Sequence, residues 1–271
     1  MGHHNRVFHG DRYALDGAWS PPTSAANFCE EDYAVSRYVA EFINSISNLA
    51  YIILALQYMY GPGSQGLWKP RCDFMSVSLF TLGVGSFLFH ASLRQNLQYV
   101  DDLSMLLAAS AMLHGLFTVR ATPAQRYRNS ALLALIVGGF SAFYVWSGTI
   151  IYHTLAFATQ ILVLTFRCLY LFRWQERKFP EDKVRSWNTR RWQASGICLV
   201  GYILWNIDLE FCAQLRAFRA GIGLPWAWLF ELHGWWHLLT AIGANHFIKV
   251  VREIRDEEAR EKAAPRHKQV K

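Results

Sequence analysis

Three histidines carried by two apolar runs have the types and the spacing to do chemistry together. His90 closes the run Ser86-Phe87-Leu88-Phe89-His90, and His233 and His237 open another, His233-Gly234-Trp235-Trp236-His237. Residues four apart share one face of a helix, so Ser86 lies beside His90 and His233 beside His237. Three imidazoles meeting from two helices can hold one metal ion and leave the fourth tetrahedral position to water. That is the arrangement of a catalytic zinc rather than a structural one. The second pair resembles the zincin spacing, but Gly234 stands where the zincin general-base Glu would follow the first histidine. A base must come from elsewhere, and Asp101 is the nearest candidate. His114, His153 and His246 read as hydrogen-bonded packing residues, and His3, His4 and His9 as solvated ones.

The elements that must position these groups are membrane-spanning helices. The 271 residues are 52% hydrophobic, with 18 Phe, 12 Tyr and 11 Trp, although polar tails and loops keep the mean hydropathy only mildly positive. A hydrocarbon core about 30 Å thick needs roughly 20 mainly apolar residues to cross it as a helix. The sequence predicts seven spans, near 42–61, 74–93, 100–119, 130–148, 150–172, 195–213 and 228–249. Gly, Ser and Thr within them suit close helix packing in lipid, and continuous apolar runs do not alternate as barrel strands do. The expected fold is an all-α, seven-transmembrane helix bundle over residues 42–249, with an N-terminal segment 1–41 and a charged tail 250–271. The first thirty residues are polar and lack the apolar core of a signal peptide, so the first span is expected to act as its own insertion signal.

The net charge of +7 is not a nucleic-acid signal, because the basic residues sit in particular loops. Lys69 and Arg71 follow the first span, Arg120, Arg126 and Arg128 the third, a run from Arg173 to Arg191 the fifth, and Lys249 to Lys271 the seventh. The alternate loops hold only Arg94, Arg216 and Arg219. The positive-inside rule then places the C-terminus in the cytosol and the N-terminus in the lumen. Segment 174–193, with Trp174, Trp187 and Trp192 among its basic residues, reads as interfacial. The tail reads as a solvated, partly disordered or helical extension.

This topology brings Ser86, His90, Asp101, Asn206, Asp208, His233 and His237 to one depth near the lumenal face. Ionisable groups inside a membrane helix cost a few kcal/mol each and are functional candidates by default. Asp208 is either interhelical glue or a carboxylate that orients a ligand imidazole.

At these residues the chain resembles the alkaline ceramidases, seven-helix amidases of the endoplasmic reticulum and Golgi. The resemblance runs through Trp19-Ser20-Pro21, Phe28-Cys29-Glu30-Glu31-Asp32-Tyr33, Ala40-Glu41-Phe42-Ile43-Asn44, the His90 run, Asp101, Trp205-Asn206-Ile207-Asp208 and the His233 run. It implies a zinc site of His90, His233 and His237, with Ser86 and Asp101 beside it. It also implies a lumenal calcium site of Asn27, the Phe28 carbonyl, Glu30, Asp32 and Glu41, a set of hard oxygen donors suited to that ion. Asn27 stands where relatives are expected to carry Asp, and Asp32 where some carry Asn, so the total charge is unchanged. A lumenal disulfide between Cys29 and Cys212 is implied too, in keeping with an oxidising compartment. Cys72, Cys168 and Cys198 read as reduced packing residues. The implied reaction is hydrolysis of the ceramide amide to a fatty acid and a sphingoid base, with a reverse acylation as a further expectation. The implied partners are the lipid substrate and the bilayer; no protein partner is inferred. Two rivals share such a site: a seven-helix receptor of the adiponectin-receptor type, whose N-terminus is cytosolic, and a lipid-remodelling esterase.

Overall fold

Lipid offers no partner for backbone N–H and C=O groups, so long apolar stretches satisfy those groups internally as helices. The computed structural model describes residues 11–263, and its regular elements are helical throughout. In chain order they are α1 (Phe42–Ser47), α2 (Leu49–Met59), α3 (Phe74–Ser92), α4 (Gln95–Phe117), α5 (Pro123–Ser147), α6 (Ile150–Leu169), α7 (Glu181–Glu210), α8 (Cys212–Ile222) and α9 (Leu232–Ala263). A π turn, Tyr170–Trp174, extends α6, and a 3₁₀ turn, Trp226–Phe230, precedes α9. His3, His4, His9 and the last basic residues of the tail, Arg266, Lys268 and Lys271, lie outside the described residues.

Local signals set several ends. Asp73 caps α3, its carboxylate accepting the Ser76 N–H at 2.7 Å in a capping box. Thr122 caps α5 in the same way, with Pro123 in the first turn, and Gly148 ends that helix in a left-handed conformation.

Among the described residues, five helical stretches are long and apolar enough to cross a bilayer: Phe42–Met59, Phe74–Ser92, Gln95–Phe117, Pro123–Ser147 and Ile150–Trp174. A sixth is reached if α7 and α8, bent by 90° between them, form one broken span. The seven expected spans therefore differ at the C-terminal end. His233, His237, Asn245 and His246 dilute the hydropathy of α9, and α7 opens on the charged Glu181-Asp182-Lys183. Two further expectations shift. Segment 174–193 is mostly the first turns of α7, and Trp187 is buried rather than interfacial, stacked on Phe172 and donating to Glu253 at 3.0 Å. The tail does not begin at 250 in a structural sense, because α9 runs to Ala263 and buries Val250, Val251 and Ile254.

The main core lies toward one end of the bundle, where Met75, Leu79, Leu116, Ile248, Val251 and Ile254 meet. The most extensive helix pairing is α7 on α9. Gly243 permits it: a Cβ there would lie 2.4 Å from Cys198 Sγ. At this end α9 also presents acids to the basic groups of its neighbours. Arg126 meets Glu258 at 3.0 Å, Arg120 meets Glu261 at 3.1 Å, and Lys183 and Arg190 pair with Glu257 and Glu253. The histidines lie at the opposite end, under a smaller core of Phe28, Tyr33, Phe89, Leu93 and Leu209.

Candidate metal centre

Helix starts aim the site. The first N–H groups of a helix have no internal partner, and here buried carboxylates from elsewhere accept them. Glu30 takes Ile43 N–H at 2.7 Å and Asn44 N–H at 2.8 Å, seating α1. Asp208 takes Leu232 N–H and Cys29 N–H, each at 3.2 Å, tying the N-terminal segment to the start of α9. Gly234 follows from the same packing: a Cβ there would meet Ile43 Cγ2 at 3.1 Å, pressing α9 against α1. A zincin glutamate at that position would have to push the Ile43 side chain aside.

His90, His233 and His237 come together as expected. One nitrogen from each lies within 4.8 Å of the others, and all three residues are buried. His90 Nδ1 faces Glu41 Oε2 at 2.5 Å, and Glu41 also accepts the Phe28 N–H at 3.1 Å and an Asn44 side-chain N–H at 3.1 Å. With Nδ1 donating to a carboxylate, the lone pair of His90 is on Nε2, a buried atom with no partner among the described residues. His237 is set similarly. Ser47 donates its one hydroxyl hydrogen to the Asn44 carbonyl at 2.9 Å, so at 2.8 Å it accepts from His237 Nδ1, again leaving Nε2 as the ligand atom. His233 Nδ1 is likewise buried and unpartnered. Three converging imidazoles, two of them held from behind by Glu41 and Ser47, make a donor set that fits zinc.

Ser86 and Asp101 join this wall. The Ser86 side chain hydrogen-bonds Asp101 on the neighbouring helix α4, one turn before His90. Phe28 roofs the site, its ring stacked on His233 with centroids 3.7 Å apart. Asp208 is fully buried, but it holds backbone N–H groups, including that of His233, rather than an imidazole. Asn206 turns back on its own helix, donating to the Tyr202 carbonyl at 2.7 Å.

The residues expected at a calcium site fall into one acidic pocket beside the histidines. Glu30, Asp32 and Glu41 are buried at 5%, 2% and 0% exposure. Burial and the nearby Glu41 push the carboxyls of Glu30 and Asp32 up to about 8. Asp32 Oδ1 is buried without a partner, and Asn27 donates to Asp32 Oδ2 at 3.3 Å. Crowded acids with an orphaned oxygen suit a bound cation. Glu30 and Glu41 are also occupied with α1 and His90, so Glu41 touches both candidate sites. Cys29 and Cys212 form a disulfide that joins this segment to α8. Cys168 is buried and Cys198 partly so, but Cys72 is exposed rather than packed.

Several functional neighbours carried no sequence signal beyond being polar in apolar runs. Ser47 and Asn44 belong to the polar stretch of the first span. Arg219, expected only as a loop charge, pairs with Glu231 at 2.6 Å and donates to the Cys29 carbonyl at 2.8 Å. Asp102 accepts from Tyr144 at 2.6 Å, with His153 Nδ1 at 3.8 Å, so His153 belongs to a buried network adjoining Asp101.

Comparison with known proteins bears on this arrangement. The sequence model of the ceramidase family matches residues 20–270. The chain is 29% identical over 257 residues to alkaline ceramidase YPC1 of Saccharomyces cerevisiae, covering 89% of this chain and 80% of that one. It is 29% identical over 232 residues to alkaline ceramidase 3 of Mus musculus, covering 84% and 82%. It is 27% identical over 241 residues to an alkaline ceramidase of Arabidopsis thaliana, covering 88% of each.

Proposed function

Since the chain belongs to the ceramidase family, we propose that it is a zinc-dependent hydrolase of the ceramide amide bond, releasing a fatty acid and a sphingoid base within a membrane. The observation that carries this reading is the triad of buried histidines, one ring nitrogen of each lying within 4.8 Å of the others. A zinc ion held by His90, His233 and His237 would supply Lewis acidity and lower the pKa of water to about 7. Asp101 acts as general base, taking a proton from the water that adds to the amide carbon. The protonated carboxyl then donates to Ser86, whose own hydroxyl is released to the oxyanion of the tetrahedral intermediate. Asp101 returns the proton to the leaving nitrogen. Phe28 and the apolar residues around it exclude bulk water from these transfers.

A calcium ion on Asn27, the Phe28 carbonyl, Glu30, Asp32 and Glu41 belongs to the same proposal, as do a lumenal N-terminus and residence in the endoplasmic reticulum or Golgi. Supporting the first is the acidic crowding. Supporting the second is the segregation of basic residues to the end away from the histidines. A receptor of the adiponectin-receptor type is not favoured, since the relatives named above are ceramidases.

The test uses purified protein, a ceramide panel with product mass spectrometry, and metal analysis. His90→Ala and His237→Ala should lose both bound zinc and hydrolysis. Full turnover by either variant, or turnover indifferent to a zinc chelator, would remove zinc from the mechanism.

A further inference from the structure

At the basic end of the bundle, a cavity of about 430 Å³ opens between the last turn of α6 and the first turns of α7. Arg173, Lys178 and Arg185 line it, all exposed, with Glu181 as the one acid among the lining residues. The lining side chains thus carry two net positive charges. Several other basic groups at this end are matched by acids: Arg120, Arg126, Lys183 and Arg190 by α9, and Arg252 by Asp73. Among the described residues, the three lining the cavity take part in no ion pair. Lys178 is instead held over the Arg173 carbonyl. The floor is apolar, with Phe172 and Phe179 buried at 9% and 4% exposure.

Depth points to the occupant. The apolar stretch Ile150–Trp174 ends at this cavity, and Trp174 beside it is 63% exposed, as an aromatic anchor at a membrane surface would be. A positive cavity at that level with an apolar floor meets both parts of an anionic lipid, phosphate on the cations and the first acyl-chain methylenes on the rings. A soluble phosphate would use only the first part. We propose that this cavity binds the head group of an anionic glycerophospholipid in the leaflet facing the basic end. The proposal rests on α6 crossing the membrane and is independent of the hydrolase chemistry at the other end.

Native mass spectrometry of the detergent-purified protein, titrated with phosphatidylglycerol, phosphatidylcholine or glycerol 3-phosphate, tests it. Each basic group at an anionic surface is worth roughly a fivefold change in binding. The variant Arg173→Gln/Lys178→Gln/Arg185→Gln should therefore bind phosphatidylglycerol about a hundredfold more weakly. The control Lys69→Gln/Arg128→Gln/Lys249→Gln, altered at exposed basic residues outside the cavity, should stay near the wild type. Ceramide hydrolysis in detergent should be unchanged in both, which reports an intact fold; should the triple variant unfold, Lys178→Gln alone is read for a fivefold loss. Equal weakening in the control, equal retention of phosphatidylcholine, or glycerol 3-phosphate binding as tightly as the lipid would each overturn the proposal.

Discussion

At the residue scale, the imidazoles depend on what stands behind them. His90 and His237 each present Nε2 because Glu41 and Ser47 hold Nδ1. Removing such a partner typically weakens metal binding 10- to 100-fold. Ser47→Ala should therefore lower zinc affinity by about that factor while leaving any calcium dependence alone. Glu41→Gln should disturb both, because the same carboxylate lies in the acidic pocket. Competition with a zinc chelator, with and without added calcium, separates the two; wild-type zinc affinity in Ser47→Ala would refute the tautomer assignment. Asp101→Asn should keep its zinc and lose hydrolysis by roughly 10²- to 10⁴-fold, the usual worth of a general acid–base group. Turnover within tenfold of wild type would remove Asp101 as the base.

At the scale of elements, helix ends placed by distant carboxylates are the vulnerable points. Asp208→Ala would leave the buried Cys29 N–H unmatched, at about 1–3 kcal/mol, and the half-buried Leu232 N–H without its carboxylate. We expect a lower unfolding midpoint together with weaker zinc binding, since His233 and His237 ride on α9. An unchanged midpoint would show that α9 does not need this cap. At the other end Asp73 caps α3 and pairs with Arg252 at 2.8 Å. Burial opposes ionisation of Asp73, but the Arg252 pair and the Ser76 N–H outweigh it and hold the carboxyl below its usual value of 3.8. Its contribution is therefore present at neutral pH and lost as pH falls through that lowered value. Asp73→Ala should cost roughly 1–2 kcal/mol at pH 7, and the gap from wild type should close in strong acid. Thermal unfolding at several pH values checks this; a gap that widens on acidification contradicts it.

At the scale of the whole molecule, the N-terminal segment is a built part of the site rather than a leader to the bundle. It supplies Phe28 over His233, Glu30 under α1 and Cys29 to α8, and Arg216 clamps it through Asp11 and the Cys29 carbonyl. Paired Cys29→Ser and Cys212→Ser should cost about 2–4 kcal/mol, the usual range for a disulfide. The accompanying loss should be hydrolysis at elevated temperature, with activity at low temperature largely kept. The lumenal N-terminus proposed from charge has a direct test: a glycosylation acceptor inserted near Asp16 should be modified, and one inserted between α4 and α5 should not. The reverse pattern would put the histidines on the cytosolic face.

Much of the site was legible along the chain because helix periodicity and span direction are local properties. Four-residue spacing puts Ser86 next to His90 and His233 next to His237, and the alternation of spans brings Asp101 to their level. The all-helical architecture follows from apolar runs that lipid cannot solvate as anything else. Rotation of one helix about its axis relative to another is not local, and it decided the rest. Ser47 meets His237 across 190 residues, Asp208 serves backbone rather than a ring, and His233 and His237 on α9 turn inward to meet His90. Periodicity says which residues share a face and how deep they sit. Only packing of the helices against one another says which neighbour that face meets.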